Sequence, residues 1–123
     1  MSRDKNQGFP ARLGFALRGV SHALAAERSL RFQLACFALL LIALLVLRPE
    51  PFWWAVLLLA GAAVIAAELF NTALEHLADH LHPDTHPQIR IVKDCAAAAV
   101  LVSVCGALAA GTAFAVSVLR ASH

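Results

Sequence analysis

Apolar residues fall into three long runs separated by short polar breaks. Residues 34–47 are fourteen consecutive apolar side chains, and Phe32 extends the run past Gln33. Arg48, Pro49, Glu50 and Pro51 stop it, and two prolines with two opposite charges make a tight polar turn. A second run, 52–67, opens on Phe52, Trp53 and Trp54, the aromatic anchor expected where a helix enters a bilayer. The helical pattern then continues with polar residues embedded in it. Residues 80–88 hold three histidines and two prolines and read as a loop. The third run, 95–119, carries no charge over 25 residues, more than the roughly 20 that span a hydrocarbon core. It is rich in Ala and Gly, which lets helices pack closely in lipid.

Ahead of the first run, Leu13, Leu17, Val20 and Leu24 recur at helical spacing on one face, with Arg12, Arg18 and His22 away from it. Such a segment reads as an amphipathic helix lying on the membrane surface. The pattern predicts an all-α membrane domain over 11–120. A surface helix covers about 11–28, and spans cover about 29–47, 52–79 and 92–119. Residues 1–10 read as a flexible tail. The first span reaches full length only by including the turns of Arg28 and Arg31, whose long side chains can snorkel.

Composition agrees. The 123 residues are 60% hydrophobic and 15% charged, against about 25% charged in soluble domains. The net charge of +2 and the lack of any basic run exclude a nucleic-acid binder. Cys36, Cys95 and Cys105 sit in apolar runs without metal-site spacing and are expected to be small buried hydrophobes. Six Lys or Arg residues precede the first span, Arg48 alone follows it, and Arg90 and Lys93 precede the third. The positive-inside rule therefore expects the N-terminus and the second connection in the cytoplasm, with the C-terminus outside.

The chemistry concentrates in 68–79. Glu68, Asn71, Glu75 and Asp79 share an arc of roughly 80° and form an acidic stripe about 16 Å long. Glu68 follows sixteen apolar residues directly, and a carboxylate inside a span costs at least a few kcal/mol. Three acids on one face, with no Lys or Arg among them, call for a divalent cation. Magnesium prefers one or two carboxylates plus phosphate oxygens, which points to a metal–phosphate substrate. Glu27 precedes the first span with Arg31 four residues later, a spacing that by itself suggests an ordinary helical ion pair. Lys93 and Asp94 open the third span, where a lysine can reach phosphates. All these groups fall at one membrane boundary. His76, His80 and His82 have spacings that a metal cluster could use, although a solvated loop explains them equally. No soluble-kinase nucleotide motif occurs.

At these residues the chain resembles the prokaryotic diacylglycerol kinase family, small membrane kinases that include undecaprenol kinase. The resemblance covers about 12–119. It rests on Glu-x-x-Asn-Thr-Ala-Leu-Glu-x-x-x-Asp at 68–79, on Lys93-Asp94 followed by small residues, on Gly14, Phe15 and Gly19, and on Glu27-Arg28-Ser29-Leu30-Arg31. It implies a homotrimer in the bacterial inner membrane, with ATP sites shared between subunits at the cytoplasmic boundary. It also implies Glu68 as the base for a lipid hydroxyl, with Asn71 supporting the metal–phosphate site or positioning groups in it. Glu27 and Glu75 would hold magnesium, and Lys93, Asp94, Asp79 and His86 would line the nucleotide site. In the enterobacterial branch an acid stands where this chain has Gln33, and the Glu-Arg-x-x-Arg segment is closer to the undecaprenol kinase branch. Diacylglycerol and undecaprenol are therefore both candidate substrates. Two readings of other classes compete: a transporter subunit, whose acids would line a whole span, and an assembly protein indifferent to magnesium-ATP.

Overall fold

The structure, a computed structural model, describes residues 7–123; residues 1–6, most of the expected tail, lie outside the described residues. Four helices follow one another: α1 (Phe9–Ala26), α2 (Arg28–Leu47), α3 (Pro51–Leu81) and α4 (Pro87–Ala121). Among the described residues there is no strand. Three of the four helices begin with a proline in the first turn, at Pro10, Pro51 and Pro87. There the missing N–H costs nothing and the fixed φ favours the helix. Helix α1 consequently starts at Phe9, just ahead of Pro10. Its other end is Ala26, and Glu27 stands between α1 and α2 in extended geometry. At the far end of α2, Arg48 takes a left-handed conformation (φ 48, ψ 58), and its N–H reaches the Leu44 carbonyl at 2.9 Å. The short turn to α3 follows.

Helices α2, α3 and α4 are long and apolar enough to cross a membrane. Their lengths differ in a way that matters. At 1.5 Å per residue, the 20 residues of α2 span about 30 Å, the thickness of a hydrocarbon core. The 31 residues of α3 and 35 of α4 run to about 46 and 52 Å. Counted from Pro51, a core-spanning length of α3 ends near residue 71, so its last turns stand clear of the hydrocarbon.

Antiparallel packing sets the register. Glu68 meets Gln33, and Leu57 packs with Leu44. Asp79 meets Lys93 at one end of the α3–α4 hairpin, and the Trp53 ring lies 5.4 Å from that of Phe114 at the other. Leu44, Leu57 and Phe114 form the buried centre, joined by Leu40, Trp53, Trp54 and Val118. Lipid is as apolar as these side chains, so their contribution is close packing rather than removal from water. Hydroxyls within α4 are satisfied locally: Ser103 donates to the Ala99 carbonyl at 2.9 Å and Thr112 to that of Leu108 at 2.8 Å. This is the usual way for a polar side chain to sit in a span.

The cysteines correct the expectation of burial. Cys36, Cys95 and Cys105 are all exposed on the single chain, within apolar stretches, and Cys36 lines a groove between α2, α3 and α4. In a membrane helix an apolar position can face lipid or a neighbouring chain as readily as the interior, so hydrophobicity does not report burial. Many large apolar side chains are exposed in the same way, among them Leu45, Leu59, Leu101 and Leu119.

Candidate active site

Glu68 is one of only two buried polar or charged side chains among the described residues, at 5% exposure; Thr72, one turn on, is the other. Helix α3 turns Glu68 towards α2 and Thr72 towards α1, and the stripe runs outward from there. Asn71 and Glu75 are half-buried and Asp79 is exposed, so the acidic row climbs from the packed interior to the surface. That gradient matches a helix leaving the hydrocarbon near residue 71.

The Glu68 carboxylate has a neutral partner. Gln33 of α2 donates from Nε2 to Glu68 Oε1 at 2.9 Å. No Lys or Arg pairs with Glu68 among the described residues. Three sealed polar atoms close by have no partner within the chain: Gln33 Oε1, Asn71 Oδ1 and Thr72 Oγ1. Unpaired buried polar groups cost about 1–3 kcal/mol each, and their concentration at one level of α3 marks it as a functional position. Thr72 carried no role in the sequence reading, although it lies inside the same motif.

Glu27 departs from the helical ion pair its spacing suggested. Arg31 turns back and donates from Nη1 to the carbonyls of Leu24 at 2.6 Å and Ala25 at 3.3 Å. It thus caps the C-terminal end of α1, where carbonyls lack helical partners and a cation is favoured. The first turn of α2 is formed, with the Arg31 N–H 3.4 Å from the Glu27 carbonyl, but the Arg31 side chain is committed to α1. Glu27 and Glu75, both half-buried, make no side-chain hydrogen bond or ion pair among the described residues.

At the exposed end of the stripe, Lys93 Nζ lies 2.5 Å from Asp79 Oδ1 and ties the start of α4 to the end of α3. Both line a small open cavity of about 140 Å³ with His82, Asp84, His86 and Arg90. His86 is also the N-cap of α4, its Nδ1 accepting the Gln88 N–H at 3.1 Å. The last of the four candidates, Asp94, is outside the cavity lining and pairs at 3.4 Å with Arg90, which belongs to it; both side chains are largely exposed.

The histidines do not gather as a metal cluster. His76 lies against His22 of α1 and His82 against His86, each pair with ring centroids 5.3 Å apart. No group of three His, Cys, Asp or Glu among the described residues could hold a metal by itself. The His22–His76 contact edges an apolar cavity of about 500 Å³ between α1 and α3, lined by Gly19, Val20, Ala23 and Thr72 among others. A second apolar groove, about 220 Å³, runs between α2, α3 and α4, and Gln33 is the one hydrogen-bonding side chain on its wall.

The chain is similar to known proteins. The profile of the family described as Prokaryotic diacylglycerol kinase matches residues 14–115. A protein of Synechocystis sp. named Diacylglycerol kinase is 37% identical over 98 residues, covering 79% of this chain and 56% of that protein. The chain thus spans little more than half of that relative's length. A Bacillus subtilis protein named Undecaprenol kinase is 32% identical over 85 residues, covering 69% of each chain. No solved structure shows significant similarity to the chain.

Proposed function

The chain belongs to the prokaryotic diacylglycerol kinase family, and from that premise we propose that it transfers the γ-phosphoryl group of ATP to a lipid alcohol. The observation that carries the reading is Glu68: a carboxylate buried in a membrane helix at the level where the hydrocarbon ends, with no cation of its own and unpaired polar atoms around it. A lipid hydroxyl lies at headgroup depth and ATP comes from water, so the two meet only at such a boundary. Phosphoryl transfer depends on positioning and charge neutralisation more than on covalent help.

Glu68 accepts the proton of the lipid hydroxyl. The hydroxyl oxygen bonds to the γ-phosphorus as the bond from that phosphorus to the ADP oxygen breaks. Asn71 holds the reacting groups in line. Lys93, with Asp79 and His86 across the small cavity, receives the nucleotide, and Asp94 lies at its edge. Glu27 and Glu75 suit a divalent metal, being half-buried hard-oxygen donors without protein partners. Magnesium held there supplies charge neutralisation on the phosphate oxygens. The apolar groove that ends at Gln33 offers hydrocarbon-tail space next to Glu68.

The first substrate we assign is diacylglycerol, giving phosphatidic acid, in line with the name of the Synechocystis relative. Undecaprenol is the second reading, favoured by the name of the Bacillus relative. The protein works as a homotrimer in the bacterial inner membrane, with its N-terminus and its nucleotide site cytoplasmic and α1 in the interface. The test is a competition assay: purified protein, labelled ATP, and dioleoylglycerol with undecaprenol in one micelle. We expect label in phosphatidic acid above undecaprenyl phosphate, and none with Glu68→Gln, whose folded oligomer survives. Full transfer by Glu68→Gln refutes the assignment of the base. Ion flux through liposomes without ATP use supports a transporter instead.

A further inference from the structure

We infer that Gln33 is a positioning residue for the base: its amide holds one oxygen of Glu68 and leaves the other free to meet the lipid hydroxyl. The inference rests on the kinase reading and adds to it a role for a position at which this chain carries an amide.

Four observations converge. The contact is a direct side-chain hydrogen bond, 2.9 Å from Gln33 Nε2 to Glu68 Oε1, joining α2 to α3 across 35 residues of sequence. Only the NH₂ end of an amide can donate to an ionised carboxylate, so the bond fixes which way Gln33 points. Gln33 Oε1 is then turned into a sealed position without a donor. A chain that leaves a buried acceptor unpaired to keep this orientation is spending stability on the Glu68 contact. Glu68 Oε2 makes no hydrogen bond within the chain, yet it is not among the sealed unpaired atoms. It is the oxygen open to a ligand. Finally, Gln33 is the polar side chain at the end of the apolar groove. A hydroxyl delivered along that groove arrives beside Gln33, on the side of the free Glu68 oxygen.

A glutamine is suited to this task. Its amide donates a hydrogen bond without bringing charge into a low-dielectric site. A carboxylate in its place can hold Glu68 only when the two acids share a proton, whereas the amide always donates. A shorter or apolar side chain would leave the carboxylate free to rotate, and bound geometry off by a fraction of an ångström is costly to rate. Gln33 touches neither ATP nor the transferred phosphoryl group in this scheme, so its effect is on turnover rather than on binding.

The test uses the full chain reconstituted in mixed micelles with dioleoylglycerol, comparing wild type, Gln33→Met, Gln33→Glu and Glu68→Gln. Gln33→Met keeps length and apolar packing and removes the donor; Gln33→Glu keeps shape and reverses the donor's character. We expect both Gln33 variants to lose about tenfold in kcat, with KM for magnesium-ATP and for lipid within twofold of wild type. Melting temperature and oligomer size are expected to be unchanged. Wild-type kcat in Gln33→Met overturns the inference, and so does a loss of kcat that tracks a lowered melting temperature. Wild-type transfer that is lost in Glu68→Gln but kept in both Gln33 variants sinks the positioning role alone. No transfer to lipid by the wild type sinks the kinase reading and the inference together.

Discussion

Glu27 sits where the chain leaves helical geometry, at φ -117 and ψ 115, and that single break changes its chemistry. In a continuous helix, Arg31 four residues on would pair with it for a few tenths of a kcal/mol. Across the break Arg31 caps α1 instead, and the Glu27 carboxylate keeps its lone pairs. Glu75 is in the same position on α3, half-buried and without a protein donor. Two carboxylates in that condition are what a hard cation needs when phosphates supply its other ligands. We therefore expect Glu75→Gln and Glu27→Gln each to raise the magnesium concentration for half-maximal transfer by tenfold or more, with lipid KM unchanged. A titration of activity against magnesium at fixed ATP decides it, and an unshifted midpoint removes these residues from the metal site.

Between elements, one glycine governs how α2 meets α3. A Cβ built on Gly61 would fall on the Phe37 ring, with no room for a side chain of any size. The ring therefore packs directly on the α3 backbone, and the same approach lies between the Gln33–Glu68 contact and the Leu44–Leu57 contact. In lipid, close backbone approach of this kind is the main source of helix association. Gly61→Ala is expected to cost about 1–3 kcal/mol through overpacking, read as a lower unfolding temperature in detergent, together with reduced turnover as Gln33 moves off Glu68. Adding Phe37→Leu should restore most of both. An unaltered melting temperature in Gly61→Ala would mean that the two helices do not approach as described.

For the whole molecule, the outstanding quantity is surface. The chain exposes 9176 Å². A compact globular protein of 13.1 kDa exposes about 6,400 Å². Large apolar side chains contribute to it: Leu59, Leu101 and Val102, each more than 60% exposed, are three of many. Lipid covers part of such a surface, and the proposed trimer would cover more of it. Gln33, Asn71 and Thr72 also keep buried polar atoms unpaired in one chain, which suits a site completed by a neighbour. Chemical cross-linking in native membranes should stop at three subunits, and dissociated monomers should lack transfer activity. Monomers with wild-type turnover would show that the single chain holds a complete site.

Much of this was legible in residue order alone. Runs of apolar residues long enough for a bilayer, ended by Pro-rich turns, dictate three spanning helices, because backbone polar groups in hydrocarbon must be paired within the segment. The spacing from Glu68 to Asp79 put the acids on one face because helix geometry is fixed, and family resemblance supplied their roles. Contacts between distant segments were beyond reach. That Gln33 holds Glu68, that Lys93 meets Asp79, and that Arg31 abandons Glu27 for the end of α1 all depend on how helices cross. Burial was equally hidden, since in a membrane an apolar side chain gains nothing by turning inward. The cysteines are exposed on the single chain for that reason. Periodicity settles which face of a helix a residue occupies; only packing settles what that face meets.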